Sequence, residues 1–120
     1  MTVLGVSVAF STDDVERSVR FYIEQLGFAC TLRSKDFARV RLGPADIMLA
    51  SPNAHDVWQG PCFTGSIYII VDSIDELWQL LKERVRIVYP LETMDYGVRE
   101  FGVLDDSGYQ LSFAQHVARD

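Results

Sequence analysis

At 120 residues the chain is long enough to bury a core without disulfide staples, and 48% hydrophobic with 23% charged residues is an ordinary globular balance. A net charge of −6 lacks the basic stripe that nucleic acid demands, and no apolar run nears the ~20 residues of a membrane span. Met1-Thr2-Val3-Leu4 has no basic stretch ahead of an apolar core, and Cys30 and Cys62 lack metal-binding spacing, so a cytoplasmic protein with two free thiols is expected.

Val3 to Phe10 alternates, with Val6, Val8 and Phe10 on one side and Ser7 and Ala9 on the other, which predicts a half-buried strand. Ser11-Thr12-Asp13-Asp14 opens a helix, with Asp13 as its cap and Glu16 three residues on. Val15, Val19, Tyr22 and Leu26 recur at helical spacing, and Gly27 stops the helix. Three strands are predicted next, over 28–33, 37–42 and 46–50, joined by turns at Ser34-Lys35-Asp36 and Gly43-Pro44-Ala45. Residues 52–61 form a Pro- and Gly-containing linker, with one helical turn expected around His55 to Trp58.

The pattern then restarts. Ser66 to Val71 reads as a strand, Ser73-Ile74-Asp75-Glu76 as a capping box, and Leu77, Leu80, Leu81 and Val85 as the stripe of a second helix. Ile87 to Tyr89 is a short strand, Pro90 to Gly97 a long irregular loop, and Val98 to Gln115 two strands around the turn Asp105-Asp106-Ser107-Gly108. Laying the second half on the first places Ser7 on Ser66, Asp13 on Asp72, Val15 on Ile74, Leu26 on Val85 and Phe28 on Ile87. The expected architecture is therefore one α+β domain of tandem βαβββ modules, at about 1–51 and 62–120.

Phe21-Tyr22 with Leu26-Gly27-Phe28, and the run from Asp106 to Phe113, resemble the vicinal oxygen chelate superfamily, which includes glyoxalase I, extradiol dioxygenases and bleomycin-resistance proteins. The resemblance implies that the modules form a curled mixed sheet around a cleft, with helices outside. Lys35-Asp36-Phe37-Ala38, Asp46-Ile47 and Arg99-Glu100-Phe101 are similar to the bleomycin-binding branch. Those proteins are acidic homodimers that sequester a cationic drug, exchange an N-terminal strand and build their clefts at the dimer interface. That branch often has Trp-Gly ahead of its Arg-Glu-Phe, where this chain has Tyr96-Gly97-Val98.

The superfamily's metalloenzymes place His or Gln, Glu, His and Glu at four positions that read here Ser7, Met48, Ser66 and Ser112. None is an imidazole or a carboxylate, and His55 and His116 lie elsewhere, so neither a metal nor another cofactor is expected. Strand parity puts Ser7, Ala9, Ser66, Tyr68, Ile70, Gln110, Ser112 and Ala114 away from the helices, joined by Asp46 and Met48, with Phe37, Trp58 and Tyr96 at the rim. Glu100 fits a receiver for a cation, or an ordinary surface carboxylate of an edge strand; Phe37 fits the rim, or a pin for its hairpin. Trp58 suits a ligand or dimer contact as well as simple packing, whereas Trp78, in mid-helix, reads as structural. The ligand-binding candidates are Phe37, Met48, Trp58, Tyr68, Tyr96, Glu100, Ser7, Ser66 and Ser112. No nucleophile is paired with a base, so no catalytic residue is assigned. The reading is a non-catalytic, metal-free homodimer of antibiotic-resistance type that sequesters a cationic aromatic ligand and engages neither nucleic acid nor membrane. The alternatives are a lyase- or dioxygenase-type enzyme of the same superfamily with an atypical site, and a small sensing or accessory subunit.

Overall fold

The computed structural model describes residues 1–2, 4–52 and 57–117, which fall into two units, Met1–Pro61 and Cys62–Asp120. The first unit runs β1 (Val8–Ser11), α1 (Val15–Glu24), β2 (Ala29–Arg33), β3 (Phe37–Leu42) and β4 (Ala45–Ala50). The second runs β5 (Ile67–Ile70), α2 (Ile74–Leu81), β6 (Arg86–Thr93), β7 (Val98–Leu104) and β8 (Gln110–His116). Each unit is a four-stranded mixed sheet, ordered β1-β4-β3-β2 in the first and β5-β8-β7-β6 in the second. In both, the first strand pairs parallel with the last and the remaining neighbours pair antiparallel. The repeat seen in the sequence is thus a repeat of topology.

The residues chosen by helical spacing anchor α1, since Val15, Val19, Tyr22 and Leu26 are all buried. Tyr22 meets Phe28 edge-on at 5.2 Å, and each large apolar side chain so buried contributes roughly 1.5–3 kcal/mol. Gly27, at φ 79°, turns the chain so that the Phe28 amide donates to the Tyr22 carbonyl at 2.9 Å. The cap, however, is Asp14 and not Asp13. Asp14 has extended backbone and accepts from the Arg17 amide at 2.9 Å, while Asp13, one residue too early, reaches the Arg17 guanidinium at 2.7 Å.

Three further expectations need correction. The capping box at Ser73 does not form: its hydroxyl donates to Asp72 Oδ1 at 3.3 Å, and the Ile74 amide donates to Gln115 Oε1 at 3.0 Å. A side chain from the end of β8 therefore does the capping. In α2, Ile74 and Leu81 are fully buried and Leu80 is 54% exposed, because at 100° per residue Leu80 lies on the flank of that line. Val6, expected to face the helix, is 79% exposed. The register Val8↔Ile47 carries the chain ahead of Val6 past the start of β4. Val3 and His55 lie outside the described residues, and 57–66 carry neither helix nor strand.

The largest correction is β6. It continues through the stretch expected to be a loop and ends at Thr93, so that only Met94 to Gly97 make the turn into β7. The turn between β7 and β8 follows its sequence: Asp105 Oδ1 accepts from the amides of Ser107, Gly108 and Tyr109, each at 2.9 Å.

Candidate functional site

In the second unit, alternation sorts β7 and β8 cleanly. Phe101, Val103, Leu111 and Phe113 are buried on the side of α2, where Trp78 packs edge-on against Phe101 at 5.1 Å. Glu100, Gly102 and Leu104 face the other way, opposite Ala114, Ser112 and Gln110. β5 adds Tyr68 and Ile70 to that second face, 46% and 55% exposed. Plain alternation along β6 would put Tyr89 on the helix side with Ile87. The register instead steps from Ile87↔Val103 to Tyr89↔Gly102, so Val88 is an extra residue and Tyr89 turns to the open face. A second irregularity then sets Glu92 directly opposite Glu100.

These residues line a depression of about 330 Å³. Ser66, Tyr68, Tyr89, Glu100 and Ser112 are among its lining, with Glu92, Met94 and Gln110 completing it. Tyr89 is clamped twice. Its hydroxyl is 2.8 Å from Ser112 Oγ, and its ring lies on Gly102 so closely that a Cβ there would sit 2.3 Å from Cε1. Burial, first of all, raises the Tyr89 phenol above its ordinary pKa.

Glu100 is 2% exposed. Its Oε1 accepts from the Tyr96 hydroxyl at 2.6 Å, and that bond to a carboxylate is the main cause that pushes the Tyr96 phenol well above its usual range. Its Oε2 is shut from solvent and has no hydrogen-bond partner among the described residues. No Lys or Arg side chain pairs with Glu92 or Glu100 among those residues. Arg99, the nearest in sequence, instead reaches Asp75 on α2 at 2.8 Å, a bond that lowers the Asp75 carboxyl and raises Arg99.

The candidate residues thus fall into groups. Ser66, Tyr68, Glu100 and Ser112 share one depression, with Tyr96 bonded to Glu100 from the β6–β7 turn. Ser7 and Met48 belong to the first unit's sheet: the Ser7 hydroxyl donates to Asp46, and Met48 Sδ lies 3.2 Å from Arg39 Nη2. Arg39 Nε is 3.2 Å from Asp46 Oδ1, a charge contact without an aligned hydrogen bond. Phe37, half-buried, starts β3 opposite Ala50, and Trp58 is half-buried in the segment 57–66. Sequence reasoning missed Tyr89, Glu92, Met94 and the role of Gly102. A glycine inside a β-rich run was the available signal, since it marks a bulge or a close approach.

The donors at the four superfamily metal positions do not suit a divalent cation. Ser112 is engaged by Tyr89, Ser7 by Asp46, and a guanidinium stands against Met48. Among the described residues no three His, Cys, Asp or Glu side chains converge to hold a metal ion.

Solved structures share this fold across nearly the whole chain. A bleomycin-binding protein from Streptomyces verticillus, solved with copper(II)-bleomycin, superposes with a TM-score of 0.72 at 24% identity, covering 99% of both chains. TioX from Micromonospora sp. ML1 gives 0.74 at 20% identity, covering 94% of this chain and 98% of its own. A lactoylglutathione lyase from Agrobacterium tumefaciens gives 0.75 at 15% identity, covering 96% of each. The comparison with curated proteins returned no match. The family profile described as Glyoxalase/Bleomycin resistance protein/Dioxygenase superfamily matches residues 6–113, from ahead of β1 into β8. With the topology and the profile in agreement, the chain belongs to the glyoxalase/bleomycin resistance protein/dioxygenase superfamily.

Proposed function

We propose that this protein binds a small cationic, aromatic-bearing molecule without altering it, on the open face of the second unit's sheet, and that it does so as a homodimer. The observation that carries the reading is Glu92 standing opposite Glu100 with no cation beside either among the described residues. Like charges directly opposite on one sheet face destabilise each other, and a bound cation reverses the sign of that term. The tyrosines beside the pair, Tyr68 and Tyr89, add flat surfaces on which an aromatic group stacks, each worth about 0.5–1.5 kcal/mol beyond its buried area. The fold is shared with the Streptomyces verticillus protein solved with copper(II)-bleomycin, which supports a drug-like ligand. Pairing of two copies is supported by Leu4 and Val6, 95% and 79% exposed ahead of β1, which a second copy would cover.

The test is a titration of bleomycin into wild type and Glu100→Gln, followed by thermal unfolding at low and high salt. Binding at 100-fold the dissociation constant adds about 2.7 kcal/mol to stability. Weaker binding is expected in Glu100→Gln and at high salt. Binding equal in wild type and Glu100→Gln would remove this face as the site. No binding would remove bleomycin, and a cationic aromatic library would then be screened in the same assay.

A further inference from the structure

We infer that the cationic group taken here is planar with two N–H donors side by side, an amidinium or guanidinium, and that it displaces the Tyr96 hydroxyl to bond both oxygens of Glu100. This rests on the cation-binding reading above and specifies its chemistry. A carboxylate accepts several hydrogen bonds; Glu100 takes the Tyr96 hydroxyl at Oε1 and has the Tyr89 phenol near enough to feel its charge, while no aligned hydrogen bond reaches the enclosed Oε2 among the described residues. An enclosed charged oxygen left unpaired is unfavourable, so whatever enters the site gains by supplying a donor to it.

The two neighbouring tyrosines differ in how firmly they are held. Tyr89 is fixed by Ser112 and by the bare backbone of Gly102. Tyr96 sits in the β6–β7 turn, 55% exposed, and reaches the site through its hydroxyl. Tyr89 is therefore a wall and Tyr96 a placeholder for a ligand donor. A fork of two parallel N–H groups matches the two carboxylate oxygens, and its plane stacks on a tyrosine ring. A primary ammonium spreads its donors tetrahedrally and reaches one oxygen well. A quaternary ammonium has no donor and leaves Oε2 unpaired.

Three probes with one aromatic group separate these cases: benzamidine, benzylamine and benzyltrimethylammonium, titrated by calorimetry into wild type, Glu100→Gln and Tyr96→Phe near neutral pH. In wild type, benzamidine should bind at least ~10-fold tighter than benzylamine and ~100-fold tighter than the quaternary ion. Glu100→Gln should bring the three within roughly threefold of one another. Tyr96→Phe should keep the order and tighten benzamidine, because no hydroxyl has to be displaced; this arm stands even if Glu100→Gln fails to fold. Equal affinities in wild type that still fall in Glu100→Gln would overturn the fork and leave the cation reading intact. Benzamidine binding that weakens in Tyr96→Phe would overturn the displacement. No heat from any probe would overturn both the inference and the cation reading.

Discussion

Replacing Gly102 by Ala tests the architecture of the site without touching a polar group. The added Cβ would lie 2.3 Å from Tyr89 Cε1, 2.7 Å from Cδ1 and 3.1 Å from Cζ, whereas carbon atoms pack at ~3.5–4.0 Å. The ring must retreat by more than an ångström, and overpacking of this kind costs about 1–3 kcal/mol. Retreat also parts the Tyr89 hydroxyl from Ser112 Oγ, a bond worth roughly 0.5–1.5 kcal/mol. Against these stands the gain of about 0.5–1 kcal/mol for replacing glycine within a strand. The net expectation is a loss of roughly 1–3 kcal/mol, read from the urea midpoint with an unchanged slope. In a Tyr89→Ala background the obstacle is gone, and the same substitution should stabilise by about 0.5–1 kcal/mol. The change of sign is the decisive result. A neutral Gly102→Ala in wild type, or equal effects in the two backgrounds, would refute the placement of the Tyr89 ring on Gly102 and with it the bulge at Val88.

The corrected cap of α2 gives a second contrast: Gln115→Ala should cost about 1 kcal/mol and Ser73→Ala only a few tenths, by urea unfolding, and the reverse order would restore the capping box. Tyr96 ionises above its ordinary value of about 10, so its contribution to stability is fully present below ~10 and is lost as pH rises through the folded value. Spectrophotometric titration of wild type and Tyr96→Phe should therefore differ by one phenol that ionises late, while the raised step of Tyr89 stays in both; a lost step at the ordinary value of about 10 would deny the bond to Glu100. Trp78→Ala should lower stability by about 2 kcal/mol through the lost contact with Phe101, while leaving ligand affinity within twofold. Light scattering at micromolar concentration should return twice 13.6 kDa, and the monomer mass would count against the paired form.

Much of this molecule is dictated locally. The spacing of Val15, Val19, Tyr22 and Leu26 makes a helix with one apolar stripe whatever it packs on, and Gly27 ends it because its positive φ costs glycine nothing. Leu111 and Phe113 alternate with Gln110 and Ser112, which settles the faces of β8 before any partner is known. Asp105 to Gly108 closes its turn with its own side chain. The repeat of these local signals is what made the fold legible, and it placed Ser66, Tyr68 and Ser112 on one face. What the sequence could not announce depends on a partner strand. Val88 is an extra residue only by reference to β7, and the register that pairs Tyr89 with Gly102 decides which face a tyrosine lines. Without it, the stretch from Pro90 to Gly97 reads as loop, and Glu92 has no defined relation to Glu100. The cap of α2 likewise comes from Gln115, 41 positions away, because Ser73 turns to Asp72. Period and turn chemistry act over a few residues and are visible in the chain. Register and burial are set by packing between distant segments, and only the tertiary structure brings a carboxylate, its phenol and an opposing acid to one place.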